Sequence, residues 1–159
     1  MTVNAVDDPP GVANALDDVN ATEDDADLTI ALGNVFNDVD DDNASITKTA
    51  TSSDESLVTA SVSGDALTLD YQANQFGVAT ITVTGASNPQ DAIDTFVVTV
   101  KGVDDPPVVA NALSDVAGNT AASDTETALA NVFNDLDAAN PSITTTAVPS
   151  DDSLVTAPV

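Results

Sequence analysis

The chain repeats itself, and any fold proposed for it must be one that can be strung in series. Val6-Asp7-Asp8-Pro9-Pro10 returns as Val103-Asp104-Asp105-Pro106-Pro107, an offset of 97 measured from Asp7 to Asp104. Asn34-Val35-Phe36-Asn37-Asp38 returns as Asn131-Val132-Phe133-Asn134-Asp135, and Ser56-Leu57-Val58-Thr59-Ala60 as Ser153-Leu154-Val155-Thr156-Ala157, both at the same offset. Without a gap, 37 of the 62 overlapping positions are identical, which makes this a tandem array. The match of Thr2-Val3 to Thr99-Val100 sets the phase. Residues 1–10 are expected to be the end of a preceding repeat and a linker, 11–102 a complete unit, 103–107 a second linker, and 108–159 the first half of a second repeat. That half lacks counterparts of Ala66–Val100. It is expected to be poorly ordered or to pair with another copy.

Within the complete unit, apolar residues alternate with polar ones between turn signals, the period of a half-buried strand. Val12–Val19 reads as a first strand; Leu28, Ile30 and Leu32 share a face of a second; Ser45–Thr51 is a third. Leu57–Val62 and Ala66–Tyr71 flank Gly64-Asp65, a hairpin turn with glycine where positive φ is needed. Ala79, Ile81 and Val83 face inward on a sixth strand, and Phe96, Val98 and Val100 on a seventh. No 3.6-residue pattern competes. Seven short strands in about 90 residues predict an all-β, immunoglobulin-like Greek-key sandwich.

Charge then narrows the function. There are 27 Asp plus Glu against 2 Lys plus Arg, a formal net charge of -25. Nucleic acid is excluded as a partner, because neutralising phosphates takes Lys and Arg. Anionic membrane surfaces are disfavoured for the same reason, and no apolar run is long enough to span a bilayer. The chain has no Cys and no His, which removes disulfides, thiol and imidazole chemistry and ordinary zinc sites. Hard, oxygen-liganded cations remain. A solvated acidic surface suited to salty water accounts for net charge, but not for where the Asp residues gather.

They gather at the ends of the unit. Seven antiparallel strands that begin at one pole put the loop after the second strand beside the incoming linker, and the loop after the first strand beside the outgoing one. Asp38, Asp40, Asp41, Asp42 and Asn43 therefore crowd the near pole with Asp7 and Asp8, while Glu23 and Asp24 lie at the far pole with Asp104, Asp105, Asp135 and Asp137. Calcium takes 6–8 oxygen ligands, roughly what three such segments supply. The competing reading is that Asp-x-Asp is a turn-forming loop and nothing more. An EF-hand is excluded because Asn43 and Thr49 stand where that loop needs Gly and Glu.

The Asp-Pro-Pro junction, Leu16-x-Asp18, Glu23, Phe36-Asn37-Asp38-Val39-Asp40 and Ile81-Thr82-Val83-Thr84 resemble bacterial cadherin-like repeats of the dystroglycan type. The resemblance implies extracellular sandwiches joined pole to pole, as in surface adhesins and cell-surface polysaccharide-degrading systems. It also implies departures. Leu69-Asp70-Tyr71-Gln72 replaces a cadherin LDRE, Ser87 stands where an A-x-D motif would end in Asp, and Thr120, Ala121 and Ala139 replace Glu23, Asp24 and Asp42 in the second copy. Fewer ligands imply weak sites.

Catalysis finds no support in the sequence: a glycosidase-like carboxylate pair needs a cleft and one raised pKa, and an aromatic-poor sandwich with loop Asp offers neither. Tyr71, Phe76, Phe36, Phe96 and Phe133 are expected in the core, leaving little for stacking on sugar. The expectation is a non-enzymatic, calcium-binding spacer or adhesion module at the cell surface. Its export signal would lie outside this fragment, and its partners would be neighbouring repeats, cell-surface proteins or polysaccharide. The alternatives are a carbohydrate-binding module of a secreted polysaccharide-degrading protein, and an acidic spacer without specific metal.

Overall fold

The computed structural model describes residues 6–119, 123–137, 143–151 and 153–157. It divides into two units, Met1–Val103 and Asp104–Val159. The described residues form strands, turns and loops and no helix.

In the first unit the strands are β1 (Gly11–Val12), β2 (Val19–Thr22), β3 (Leu28–Ala31), β4 (Phe36–Asn37), β5 (Thr47–Ser52), β6 (Val58–Ser63), β7 (Ala66–Tyr71), β8 (Gly77–Ser87) and β9 (Gln90–Lys101). One sheet has the order β2-β9-β8-β5 and a second β3-β7-β6, while β1 and β4 form a short pair of their own. Alternation decides the inner faces. Ala79, Ile81 and Val83 of β8 and Phe96, Val98 and Val100 of β9 are buried in one cluster with Val58 of β6 and Leu67, Leu69 and Tyr71 of β7. Two sheets thus share one apolar core, which is a β-sandwich. The β6–β7 turn has Gly64 at φ 59°, in the left-handed region that glycine enters without a Cβ penalty.

The first predicted strand, Val12–Val19, is in fact two. The chain pairs briefly with β4, leaves strand geometry over Ala13–Asp18, and rejoins the other sheet as β2. The cause lies in side chains distant in sequence. The Leu16 amide donates to Asp94 Oδ2 at 2.7 Å, and Asp18 Oδ1 accepts from the Val97 amide at 2.7 Å, so the kink is capped on β9. After it, β2 runs parallel to β9, with Val19 opposite Val98 and Thr22 opposite Lys101, whereas the sequence reading had every strand antiparallel. A second correction concerns Phe76, which is 61% exposed and not a core residue.

In the inner row at one end of the four-stranded sheet, Lys48 of β5, Gly85 of β8 and Ala92 of β9 lie side by side. A Cβ on Gly85 would sit 2.6 Å from the Phe36 ring, which is fully buried. Glycine costs a strand entropy and packing. Here it clears the volume that the Phe36 ring occupies.

The second unit contains β10 (Val108–Val109) paired with β11 (Phe133–Asn134), which repeats the β1–β4 pair residue for residue. Its apolar residues are treated differently. Leu57 is 4% exposed and its counterpart Leu154 is 78% exposed; Val58 is fully buried and Val155 is open to solvent. In the first unit Leu57 and Val58 lie in the core that β7, β8 and β9 complete.

Candidate functional site

At the near pole of the first unit three segments meet: the chain before β1, the loop 38–46 between β4 and β5, and the β8–β9 turn. Buried Phe36 anchors the start of the loop, and Asp38 then curls it. Asp38 Oδ1 accepts from the amides of Asp40 at 2.9 Å and Asp41 at 3.2 Å, the local bonding that makes Asp a turn residue. Asp40 Oδ2 accepts from the Asp8 amide at 2.8 Å, tying loop to linker. Asp41 Oδ2 accepts from Ser87 Oγ and from Asn88 Nδ2, both at 2.6 Å, and the same Asn88 amide reaches Asp7 Oδ1 at 3.0 Å. Asn88 holds φ 42°, a left-handed conformation that Asn tolerates. Asp38 Oδ2 is buried and has no hydrogen-bond partner.

The second unit repeats the key links. The Asp105 amide donates to Asp137 Oδ2 at 2.6 Å, and the Asp137 amide to Asp135 Oδ1 at 3.0 Å, which are the Asp8–Asp40 and Asp40–Asp38 bonds moved on by one repeat. Asp104 is exposed. Thr120, Ala121 and Ala139 lie outside the described residues.

At the far pole of the first unit, Glu23 is 2% exposed. Its amide donates to the Lys101 carbonyl at 3.0 Å and its Oε1 accepts from the Val103 amide at 2.6 Å, so it grips the chain as it leaves β9. Glu23 Oε2 is buried with no partner. The Phe76 ring covers Gly102, where a Cβ would lie 3.3 Å from it. Burial, followed by the charges of Asp25 and Asp27, pushes the Tyr71 hydroxyl above the usual tyrosine range. Asp70 is exposed, and Gln72 Nε2 donates to its carbonyl at 3.3 Å.

Within the first unit Asp7, Asp8, Asp38 and Asp40 are assembled at one pole and Glu23 stands at the other on Val103. Within the second unit Asp105, Asp135 and Asp137 share the repeated bonds. Among the described residues no three carboxylates converge as a ready metal cage. The Asp oxygens at the near pole instead accept hydrogen bonds from amides of the linker and loop and from the Ser87 and Asn88 side chains.

Sequence reasoning missed Asn88, passed over Asp41 in choosing its ligands, and did not see Lys48. Lys48 Nζ donates to the carbonyls of Asn43 at 3.1 Å and Ile46 at 3.3 Å and pairs with Asp65 Oδ1 at 2.7 Å. One signal was available: Lys48 is one of only two cations in the chain, and it falls at an inward position of an alternating strand.

No family model matches the chain, and no curated protein does. Among solved structures it is similar to the endo-fucoidan hydrolase MfFcnA4 from glycoside hydrolase family 107, at 16% identity and a TM-score of 0.43, over 64% of this chain and 15% of that one. It is similar also to a chimeric titin Z1Z2 functionalized with an exogenous decorin peptide, at 15% identity and a TM-score of 0.43, over 62% of this chain and all of that one. The chain spans less than a sixth of the hydrolase's length.

Proposed function

We propose that the chain is a non-enzymatic, calcium-binding spacer module of a cell-surface or secreted protein, built from immunoglobulin- or cadherin-like sandwiches in tandem. The observation that carries the reading is the repeated acidic lock: in both copies the linker Asp amide sits on the second carboxylate of Asp-x-Asp, whose amide sits on the first. The lock does more than turn the loop, because in each unit it also fixes the linker to it. The partnerless buried oxygens of Asp38 and Glu23 support it, since a buried carboxylate oxygen without a donor is costly and a cation removes that cost. Asp7, Asp8, Asp38 and Asp40 would hold one ion, Asp104, Asp105, Asp135 and Asp137 another, and Glu23 would contribute at the end of its own unit.

The test is thermal unfolding of the chain in calcium, magnesium and charge-matched sodium. At ten times its dissociation constant an ion adds about 1.4 kcal/mol per site, so millimolar calcium should raise Tm by several degrees. Magnesium should do less, because its smaller octahedral shell fits loop carboxylates poorly. Asp38→Asn with Asp40→Asn should remove most of the response of the first unit. Equal responses to all three salts would reduce the acidic poles to a screened surface.

A further inference from the structure

We propose that Lys48 is the positioning residue of the acidic loop, a resident cation that holds residues 38–46 in their shape before any external ion arrives. The loop carries Asp38, Asp40, Asp41 and Asp42 within five positions, and Asp7 and Asp8 lie against it. Alone, such a cluster repels itself and opens. Its acidic half is held by the linker and the β8–β9 turn. Its other half is anchored at its end by Ile46, which is buried in the core, while Asn43, Ala44 and Ser45 before it are exposed and Asn43 Nδ2 has only a long bond, 3.4 Å, to the Gly33 carbonyl.

That half is held from inside. The Lys48 side chain is 2% exposed and spends its donors on Asn43 O, Ile46 O and Asp65 Oδ1. Asp65 sits in the β6–β7 turn of the other sheet, so one ammonium joins the loop to both sheets. Gly85, its neighbour across the strand, adds no side chain to the row in which the stem lies. A buried ammonium is tolerated only when its protons are satisfied, and here all three acceptors belong to the loop and the turn that the loop must meet. The only ion pair among the described residues is thus spent on the back of the acidic loop. Thr145 occupies the equivalent position in the second copy, which therefore lacks the device.

The consequence for binding rests on reading the loop as a cation site; the consequence for loop order does not. In the 159-residue chain without metal, Lys48→Met removes the charge and keeps the stem. Amide exchange at Asp40, Asp41 and Ser45, whose N–H groups are bonded within the loop, should quicken about tenfold relative to Ile81 and Val98 in the core. The apparent calcium dissociation constant of the first unit should rise by about the same factor, because binding must then order the loop. Asp65→Asn, at a side chain 56% exposed, leaves the core intact and should quicken the same amides about threefold even if Lys48→Met does not fold. Loop-to-core exchange ratios unchanged in Asp65→Asn, or in a folded Lys48→Met, would overturn the proposal. If the parent chain ignores calcium while the exchange ratios shift as expected, the positioning role stands and the calcium reading falls.

Discussion

Replacing Gly85 by alanine tests whether the near pole is built on the core as described. The new Cβ would approach Cγ, Cδ2 and Cδ1 of Phe36 to 2.6, 2.7 and 3.0 Å. Atoms of this kind settle at about 3.5–4.0 Å, so the overlap is roughly 1 Å against three ring carbons. The ring is fully buried, so it cannot swing out into solvent without leaving the core. Overpacking of a tight core costs about 1–3 kcal/mol, and the upper value applies to a clash with a rigid ring. For a unit of this size about 3 kcal/mol lowers Tm by roughly 12–24 °C. Differential scanning calorimetry of Gly85→Ala, Phe36→Leu and the double variant would measure it. The smaller Leu should cost about 1–2 kcal/mol alone and relieve the clash in the double variant, giving a favourable coupling of about 1 kcal/mol or more. A Gly85→Ala protein that melts within about 3 °C of the parent, or a double variant that is simply additive, would refute the packing argument.

Leu57→Ala and Leu154→Ala are the same change one repeat apart; the first should cost about 2–5 kcal/mol and the second less than about 0.5, and equal costs in urea unfolding would mean that the two units bury this position alike. Glu23→Ala removes the acceptor of the Val103 amide, whose exchange should quicken about tenfold while core amides hold, and unchanged protection would show that the grip is not what orders the outgoing chain. Tyr71 is the sole tyrosine in a chain without tryptophan, so its ionisation is directly visible in ultraviolet absorbance. Its folded pKa is raised, so the stability it contributes is complete below the ordinary tyrosine value near 10 and is lost as pH climbs through the folded value. Asp25→Asn with Asp27→Asn should lower the midpoint partway, and no movement would leave burial as the whole cause.

Much of the sandwich could be read from period-two patterning, because inward positions are decided by neighbours on the same strand. Ile81, Val83, Phe96, Val98 and Val100 are buried as alternation requires, and the Gly64 turn and the limits of β7 follow from local chemistry. What escaped was set by partners far along the chain. The break at Ala13–Asp18 depends on Asp94 and on the Val97 amide, about eighty residues away, and no local pattern announces it. Phe76 follows the alternation of a core residue, yet its ring lies over Gly102 in the open. The site shows the same division. Asp-x-Asp and the linker Asp pair were visible as a repeat, whereas the bonds from Ser87 and Asn88 to Asp41 and from Lys48 to Asn43 need the folded turns to exist.

The parallel run of β2 along β9 gives the first unit a mechanical character. Chain enters at one pole and leaves at the other, so tension along the backbone draws β2 toward the first and β9 toward the second. The hydrogen bonds between them lie across that pull and share it in shear, and they must fail together and not one after another. The kink caps from Asp18 and Asp94 bind the same two segments and add to the resistance. Survival under load is governed by the rate of unfolding and not by equilibrium stability. A unit of modest Tm whose β2 and last strand run side by side in parallel can therefore outlast, under tension, a more stable domain whose terminal strands peel apart one bond at a time.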